Sequence, residues 1–254
     1  MLLAIDVGNT QTHIGMFRAE ELVEHWRLAT DRQATADKLT TELASLLGLR
    51  DLGLRDVEAA IVSSVVPHLG REYEQVSERY LGGALTLVGP SLKIGMPVRM
   101  DNPHEVGADR IVNAVAAYER FGGACIVADF GTSNNYDVVS SNGDYIGGVL
   151  APGVEISIEA LASRAARLFK VDLDPPSQVI GKNTAAALQS GVIYGFAGQV
   201  DAIVGRLREE LDDEATAIAT GGLAGPILPF CEQIDEVDDL LTLRGLRLIW
   251  ERNR

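Results

Sequence analysis

The sequence predicts an α/β protein with two similar lobes built on mixed β-sheets. The first observation is a repeated pattern in which an apolar strand ends in Asp-x-Gly, at Asp6 and again at Asp129. The two copies are separated by about half of the 254 residues, so the repeat indicates two lobes rather than a solenoid of short units. The second observation is that predicted strands and helices alternate, which is typical of partly parallel sheets. We place the lobes at residues 1–113 and 114–254.

Composition and charge restrict the classes of function. The chain is 46% hydrophobic and 23% charged, as expected of a globular protein that buries one large core or two smaller ones. Its net charge of −14 and the absence of a basic run argue against binding to nucleic acid or to anionic membranes, because both need clustered Lys and Arg. We therefore expect no nucleic-acid partner and no membrane partner.

The cysteines and the N-terminal segment indicate a cytoplasmic protein. Cys125 and Cys231 are far apart and flanked by apolar residues, which predicts neither a disulfide framework nor a Cys-x-x-Cys metal site. None of the four histidines has a partner at zinc-ligand spacing. A strand begins directly after Met1 without a signal-peptide pattern, and no apolar run approaches the ~18 residues that span a membrane.

Hydrophobic periodicity predicts the elements of both lobes. In the first lobe we predict strands at 2–7, 12–17, 22–28, 59–63 and 85–88, and helices at 37–47, 68–81 and 111–120. In the second lobe we predict strands at 126–129, 136–139, 145–150 and 215–219. Its helices are predicted at 154–168, at 184–211, after residue 224 and at 240–250.

The repeated Asp-x-Gly turn has the composition of a phosphate and metal site. A buried strand brings its last carboxylate to the carboxyl edge of the sheet, where open α/β sheets bind ligands. The glycine two places later allows the backbone to approach a ligand, and the hydroxyl and amide side chains that follow suit phosphate oxygens. An aspartate nearby suits Mg²⁺. A hairpin turn would use the same residues, but two copies that each close a buried strand favour the ligand site.

A second candidate site lies at the start of the helix at 111–120. A loop with Asn102 and Pro103 leads to Gly107 and Ala108, and these place Asp109 and Arg110 in the first helical turn. An aspartate there is commonly a helix cap or a partner of the helix dipole, whereas an arginine is less expected. The functional interpretation makes Asp109 a general base and Arg110 a clamp for an anion.

Two glycine-containing segments are further candidates. Thr220 is followed by Gly221 and Gly222 after a buried strand. This arrangement allows a nucleotide to pack against the backbone, but an ordinary strand-to-helix turn has the same residues. The segment at 181–184 opens the long helix, with Asn183 or Thr184 as the expected cap. It lacks the P-loop spacing, so a P-loop is excluded there.

Taken in order, these motifs resemble the type III pantothenate kinase family over the whole chain. The residues that carry the resemblance are Asp6, Gly8, Asn9 and Thr10; Ser64 to Pro67; Asn102 and Pro103; Gly107 to Arg110; Asp129 to Thr132; Gly147, Gly148 and Ala151 to Gly153; Gly181 to Thr184; and Thr220 to Gly222. The resemblance implies the actin-like ATPase (ribonuclease H-like) fold of acetate and sugar kinases, Hsc70 and actin, with a cleft between two lobes. It also implies a cytoplasmic homodimer that phosphorylates pantothenate with ATP, Mg²⁺ and a monovalent cation (K⁺ or NH₄⁺), the first step of coenzyme A synthesis.

The resemblance assigns a role to each candidate residue. Asp109 is implied as the catalytic base, and the residues implied to bind pantothenate are Asn102, Gly107, Ala108, Arg110 and Thr184, the last from the neighbouring subunit. The residues implied to bind ATP phosphates are Asp6, Gly8, Asn9, Thr10, Gly131, Thr132, Gly221 and Gly222. Asp129 is implied at the monovalent-cation site, and Asp6 at the Mg²⁺ site, directly or through water.

Departures from the family pattern and alternative functions remain to be weighed. Ser133, Asn134 and Asn135 stand where the family commonly has Ala-Thr-Thr, and Leu168-Phe169 stands where Leu-Pro is expected. The alternatives are a regulatory factor that binds nucleotide without turnover, and a kinase of another small alcohol. The long helix also carries an apolar stripe that suits either its own lobe or a dimer interface, namely Leu188, Val192, Gly195, Phe196 and Val200.

Overall fold

The computed structural model describes residues 1–89, 92–164, 171–211, 213–222 and 225–254, which form two compact units. The first unit contains Met1–Gly95, Asn102–Ala116 and Leu241–Arg254, and the second contains Met96–Asp101 and Ala117–Leu240. The predicted division at residue 113 differs from these units chiefly at the C-terminus, because the last helix packs on the first sheet. The predicted boundary between the two lobes, at residue 113, stays a prediction.

The first unit is built on a five-stranded mixed sheet in the order β3-β2-β1-β4-β5. Its strands are β1 (Leu2–Val7), β2 (Gln11–Arg18), β3 (Glu21–Ala29), β4 (Ala59–Ser64) and β5 (Ala84–Leu87). β1 to β3 form an antiparallel meander, and β4 and β5 run parallel to β1. Its helices are α1 (Ala36–Gly48), α2 (Pro67–Tyr80), α3 (Ala108–Phe121), whose last residues belong to the second unit, and α6 (Leu241–Glu251).

Successive side chains along each strand point to opposite faces of this sheet, and both faces of β1 are buried. Leu3, Ile5 and Val7 of β1 lie in one core cluster with apolar residues of α1 and α2. On the opposite face α6 packs so closely that a Cβ on Gly15 would lie 2.9 Å from Leu243 Cδ1. β1 is thus covered on both faces and its backbone is fixed, which makes its carboxyl end a rigid support for Asp6.

The second unit repeats this topology, with the sheet order β10-β9-β6-β7-β8. Its strands are β6 (Cys125–Phe130), β7 (Ser133–Val139), β8 (Tyr145–Pro152), β9 (Thr216–Thr220) and β10 (Glu236–Val237). Again three strands form an antiparallel meander, and the parallel neighbour β9 lies beside the first of them. α4 (Val154–Arg164) and α5 (Thr184–Leu211) complete the unit. The predicted α/β fold with two mixed sheets and a repeated architecture is confirmed.

Part of the apolar stripe on the long helix α5 packs within its own unit. Val200 is fully buried in the cluster formed with β6, β7 and β9, and Val192 and Phe196 pack against a second cluster of the same unit. These three side chains therefore stabilise their own unit. In contrast, a Cβ added at Gly195 or Gly198 would meet no atom within 4 Å, so the exposed face of α5 is lined by small residues.

Three other expectations about elements need correction or completion. The helix predicted after residue 224 is wrong, because residues 225–227 form turns and Leu228–Phe230 a short 3-10 helix. Pro226 and Pro229 explain this, since each removes a backbone donor and restricts the preceding residue. The predicted helix 154–168 is described up to Arg164, and Leu168-Phe169 and residues 223–224 lie outside the described residues. β10, with two residues, was too short to predict.

No helix in the described part of the chain combines the length and the hydropathy that crossing a membrane requires.

Candidate active site

The turn that follows β1 is held by residues at the end of β3. Gly8 N–H donates to Gln11 O over 3.0 Å, and the Thr30 hydroxyl donates to Gly8 O over 2.9 Å. The Arg32 Nε–H donates to Asn9 O over 3.1 Å, and Thr30 N–H donates to Thr10 O over 2.8 Å. The Asn9 and Thr10 side chains remain exposed. The backbone of this turn is thus fixed, and its polar side chains lie at the surface.

Asp6 lies between two polar neighbours on adjacent strands. It pairs in register with His13 of β2 and with Ser63 of β4, so the three side chains share one face of the sheet. Burial lowers the pKa of His13 to about 4, with further contributions from the charges of Arg27 and His25. His13 is therefore neutral near pH 7, and a cation that binds at Asp6 meets no positive charge from this histidine.

The turn that follows β6 matches the first one. Gly131 N–H donates to Ser133 O over 3.1 Å, and the Ser133 hydroxyl donates to Asn135 Oδ1 over 2.7 Å. A Cβ on Gly153 would lie only 2.3 Å from Thr132 O, so the end of β8 packs directly against this turn. The close contact requires glycine at residue 153 and fixes the Thr132 backbone while its side chain stays exposed.

Asp129 and Gly221 are brought into contact. Gly221 has a φ of +96°, which favours glycine. A Cβ there would lie 2.5 Å from Phe130 O and 2.7 Å from Asp129 Oδ1. Gly222 follows directly and is exposed. Gly221, which is predicted to hold nucleotide, therefore lies directly beside Asp129, which is predicted to hold a monovalent cation.

Asp109 lies in the first turn of α3 and is largely buried. Its Oδ1 accepts a hydrogen bond from Arg110 N–H over 2.9 Å, and a Cβ on Gly107 would lie 2.5 Å from the same oxygen. Glycine at residue 107 thus leaves room for the carboxylate. Burial raises the pKa of Asp109, although the backbone hydrogen bond and the Arg110 charge oppose this effect. A carboxylate with a raised pKa is suited to accept a proton.

Asn102 directly precedes a short 3-10 helix (Pro103–Glu105), and Thr184 lies at the start of the long helix α5. Asn102 Oδ1 accepts from His104 N–H over 3.3 Å, and its Nδ2 donates to Glu105 Oε1 over 2.8 Å, so this side chain is engaged locally. Thr184 is the exposed first residue of α5, and Asn183 rather than Thr184 is the cap, because Asn183 Oδ1 accepts from Ala186 N–H over 2.8 Å.

The candidate cation sites offer carboxylate, hydroxyl and amide oxygens, which suit hard cations. Among the described residues, no group of three or more His, Cys, Asp and Glu side chains lies close enough to hold a metal ion. Mg²⁺ characteristically binds through one or two carboxylates and substrate phosphates, so Asp6 beside Asn9 and Thr10 is a suitable partner. Asp129 lies in register with Asn135 and Thr220, whose side-chain oxygens suit a monovalent cation.

The site residues fall into two groups by compact unit. Asp6, the turn at 8–10 and the segment at 107–110 belong to the first unit, whereas Asp129, Gly131, Thr132 and the two glycines at 221–222 belong to the second. Sequence reasoning did not single out Thr30. Strand register is the only signal that places Ser63 beside Asp6, and register cannot be read from periodicity alone.

Comparison with known proteins decides the family. The model of the type III pantothenate kinases matches residues 2–206. The chain belongs to the type III pantothenate kinase family. A relative from Acidothermus cellulolyticus is 54% identical over 256 residues, covering 100% of this chain and 99% of its own. A relative from Moorella thermoacetica is 49% identical over 253 residues and is covered completely, as is this chain. Both relatives carry the name type III pantothenate kinase.

Solved structures support the fold of this kinase family. A Campylobacter jejuni structure, described provisionally as a Baf family transcriptional activator, has a TM-score of 0.61 at 17% identity and covers 98% of this chain and 97% of its own. The inorganic polyphosphate/ATP-glucomannokinase of Arthrobacter sp. strain KM has a TM-score of 0.50 at 14% identity, covering 97% and 96%. The chain therefore has the actin-like fold that acetate and sugar kinases share.

Proposed function

We propose that the chain transfers the γ-phosphoryl group of ATP to the primary hydroxyl of pantothenate and so forms 4'-phosphopantothenate. The observation that carries this proposal is the partly buried Asp109 carboxylate with its raised pKa, at the start of a helix, in a member of the type III pantothenate kinase family. This carboxylate accepts the hydroxyl proton as the phosphoryl group arrives. Positioning and charge stabilisation supply most of the catalysis in such transfers.

Substrate recognition follows from the neighbours of Asp109. The Arg110 guanidinium binds the carboxylate of pantothenate, because a fixed fork of N–H donors matches a planar anion. Gly107 and Ala108 provide backbone beside the pantothenate carboxylate. Asn102 binds pantothenate once its hydrogen bonds to His104 and Glu105 are replaced by bonds to the substrate. This arrangement selects an alcohol that carries an anionic group, which distinguishes pantothenate from neutral sugars.

ATP is held by the two matching turns. Asn9, Thr10 and Thr132 have exposed polar side chains that donate to phosphate oxygens, while Gly131, Gly221 and Gly222 admit the nucleotide close to the backbone. Mg²⁺, when bound beside Asp6, neutralises charge that develops on the phosphates. Asp129 holds K⁺ or NH₄⁺, with oxygens of Asn135 and Thr220 on the neighbouring strands as support.

The active molecule is a homodimer in this proposal. Large apolar side chains of the second unit are exposed, with Leu150 at 64% on the outer strand β8 and Ile180 at 79% before α5. An outer strand with exposed apolar residues favours association, and the small-residue face of α5 permits close approach. Thr184 then reaches the neighbouring pantothenate pocket. A cytoplasmic location is part of the same proposal, supported by the two free cysteines.

The test is an assay of ADP release with pantothenate and a panel of other small alcohols. We expect turnover that depends on pantothenate and Mg²⁺ and that is faster in potassium than in sodium buffer. ADP release with another alcohol but not with pantothenate would identify a different kinase. ATP binding without turnover of any alcohol would favour the regulatory factor.

A further inference from the structure

We propose that Ser63 is a positioning residue for Asp6, whose carboxylate accepts a hydrogen bond from the Ser63 hydroxyl when Mg²⁺ and ATP bind. The inference rests on the proposed function only in taking Asp6 as the Mg²⁺ and phosphate site. It adds a residue outside the glycine-containing turns.

Ser63 is a buried polar residue whose hydroxyl is not used within the described structure. Its side chain is 0% exposed, and its Oγ has no hydrogen-bond partner among the described residues. The next residue differs, because Ser64 Oγ donates to Val66 O over 2.8 Å and accepts from Val66 N–H over 3.2 Å. Buried polar groups are nearly always paired, so an unpaired hydroxyl beside a functional residue indicates a bond made in another state.

The register places this hydroxyl next to Asp6. β1 and β4 are parallel, and Asp6 pairs with Ser63, so the two side chains project from the same face on strands about 4.8 Å apart. A serine has three staggered rotamers, and rotation about one bond redirects its hydroxyl. A carboxylate is a stronger acceptor than a neutral group. The hydroxyl therefore restrains Asp6 once a bound cation fixes the carboxylate.

The second unit shows the same arrangement independently. Thr220 of β9 pairs with Asp129 of β6, on strands that are again parallel and adjacent, and Thr220 is only 2% exposed. The antiparallel neighbours of the two aspartates differ, since His13 lies beside Asp6 and Asn135 beside Asp129. A buried hydroxyl on the parallel neighbour is thus the feature that both cation sites share, which supports a role at the aspartate rather than in general packing.

The experiment compares Ser63→Ala with Ser77→Ala as a matched control. Ser77 is a buried serine of the same unit whose Oγ donates to Gly83 O over 3.0 Å. Thermal unfolding of each full-length protein is measured without ligand and over a titration of Mg²⁺ at fixed ATP, in the absence of pantothenate. Steady-state rates with pantothenate are measured separately. Ser63→Thr, which keeps the hydroxyl, is the rescue variant.

We expect Ser63→Ala to leave the Tm of the free protein unchanged or higher, because it removes an unpaired hydroxyl. It should raise the Mg²⁺ concentration needed for half of the ATP-dependent stabilisation by roughly tenfold, which is about one lost hydrogen bond to a charged group. The KM for pantothenate should not change, and Ser63→Thr should restore the Mg²⁺ response. Ser77→Ala should lower the Tm and leave the Mg²⁺ response unchanged.

Two results would overturn the proposal. One is that Ser63→Ala lowers the Tm of the free protein as Ser77→Ala does, with no change in the Mg²⁺ midpoint, since a purely structural serine behaves in that way. The other is that Ser63→Ala changes neither quantity. Failure of the proposed function is distinguishable, because a parent protein that binds Mg²⁺ and ATP but never turns over pantothenate still reports the Mg²⁺ midpoint.

Discussion

Asp109 combines a hydrogen bond typical of a helix start with the raised pKa expected of the proposed base. Its Oδ1 accepts the Arg110 N–H over 2.9 Å, as a residue in the first turn of a helix often does. A carboxylate that only stabilises a helix start is usually exposed, and its pKa is lowered by the helix. Burial instead raises the pKa of Asp109, so the group is less stable when ionised and is a better proton acceptor.

The first prediction is that Asp109→Asn lowers kcat by roughly 10²–10⁴-fold, because the amide keeps the size and polarity but cannot accept a proton. The affinity for pantothenate, measured by calorimetry, should change far less. Asp37→Asn is the control, because Asp37 is also an acid in the first turn of a helix, on α1. If the activity of Asp109→Asn stays within a few-fold of the parent, Asp109 has a purely structural role.

The second prediction concerns pH. Because burial raises the pKa of Asp109 in the folded state, its ionisation opposes folding at neutral pH and ceases to do so in acid. Asp109→Asn should therefore raise the Tm near pH 8, and the gain should shrink below about pH 4, where the carboxyl is protonated in both states. The acid limb of kcat/KM should disappear in the variant. A lower Tm at pH 8 would show that Asp109 stabilises the fold.

Residue identity indicated part of the candidate site. The pairing of apolar strands with Asp-x-Gly pointed to Asp6 and Asp129, and the structure places both aspartates near the ends of their strands, as the pattern predicted. The sequence did not indicate that Asn102 is occupied by His104 and Glu105, since such local hydrogen bonds depend on loop geometry. It also did not indicate the neutral state of His13, which follows from burial and from Arg27.

At the scale of elements, the functional turns depend on close contact between strands and glycines. The two meanders place their aspartates at equivalent positions of β1 and β6, and each turn is closed by a short backbone hydrogen bond. Gly221 and Gly153 then allow neighbouring segments to reach the second turn. A side chain at either position displaces the backbone that shapes the predicted cation site.

The third prediction is that Gly221→Ala is destabilising by about 1–3 kcal/mol and abolishes stimulation by K⁺. The reasons are the positive φ of Gly221 and the position of its new Cβ, 2.7 Å from Asp129 Oδ1. Gly205→Ala on α5 is the matched control, because its Cβ meets no atom within 4 Å, and it should stabilise by about 0.5–1 kcal/mol. Denaturant unfolding and rates in potassium and sodium buffers provide the measurements. Normal K⁺ stimulation in Gly221→Ala would contradict the cation site at Asp129.

Elements were predictable where periodicity and length were strong. The bounds of β1 agree with the predicted 2–7, and α5 agrees with 184–211. The helix predicted after residue 224 failed because proline chemistry at Pro226 and Pro229 overrides an apolar pattern. The stripe on α5 was ambiguous for another reason, since burial of Val200 in its own unit depends on how sheet and helix pack.

At the scale of the whole molecule, the proposed site residues are divided between two compact units. The first carries Asp6 and Asp109, and the second carries Asp129 and Gly221. Their similar topology makes the repeated turn understandable, because each sheet presents one aspartate at the carboxyl end of its central strand. The C-terminal helix α6 belongs to the first unit although it is last in sequence. Sequence order alone does not show that the end of the chain packs with the first unit.

The fourth prediction is that two inactive variants restore activity when mixed. In a homodimer with pockets completed by Thr184 of the neighbouring subunit, Asp109→Asn and Thr184→Arg place both defects in one pocket and leave the other intact. We expect partial recovery of activity after subunit exchange, which is monitored independently by labelled subunits. Each variant alone should stay inactive. No recovery despite demonstrated exchange, or an active monomer in light scattering, would exclude the shared pocket.

The most direct measurement of the central proposal follows the phosphoryl group itself. The purified full-length protein is incubated with Mg²⁺, K⁺, pantothenate and ATP labelled in the γ-phosphoryl group, and the products are separated and identified by mass spectrometry. We predict that the label moves to pantothenate, that the product is 4'-phosphopantothenate, and that Asp109→Asn slows this transfer without preventing ATP binding. Label recovered only in ATP or inorganic phosphate, with pantothenate unchanged, would contradict the assignment of this chain as a pantothenate kinase.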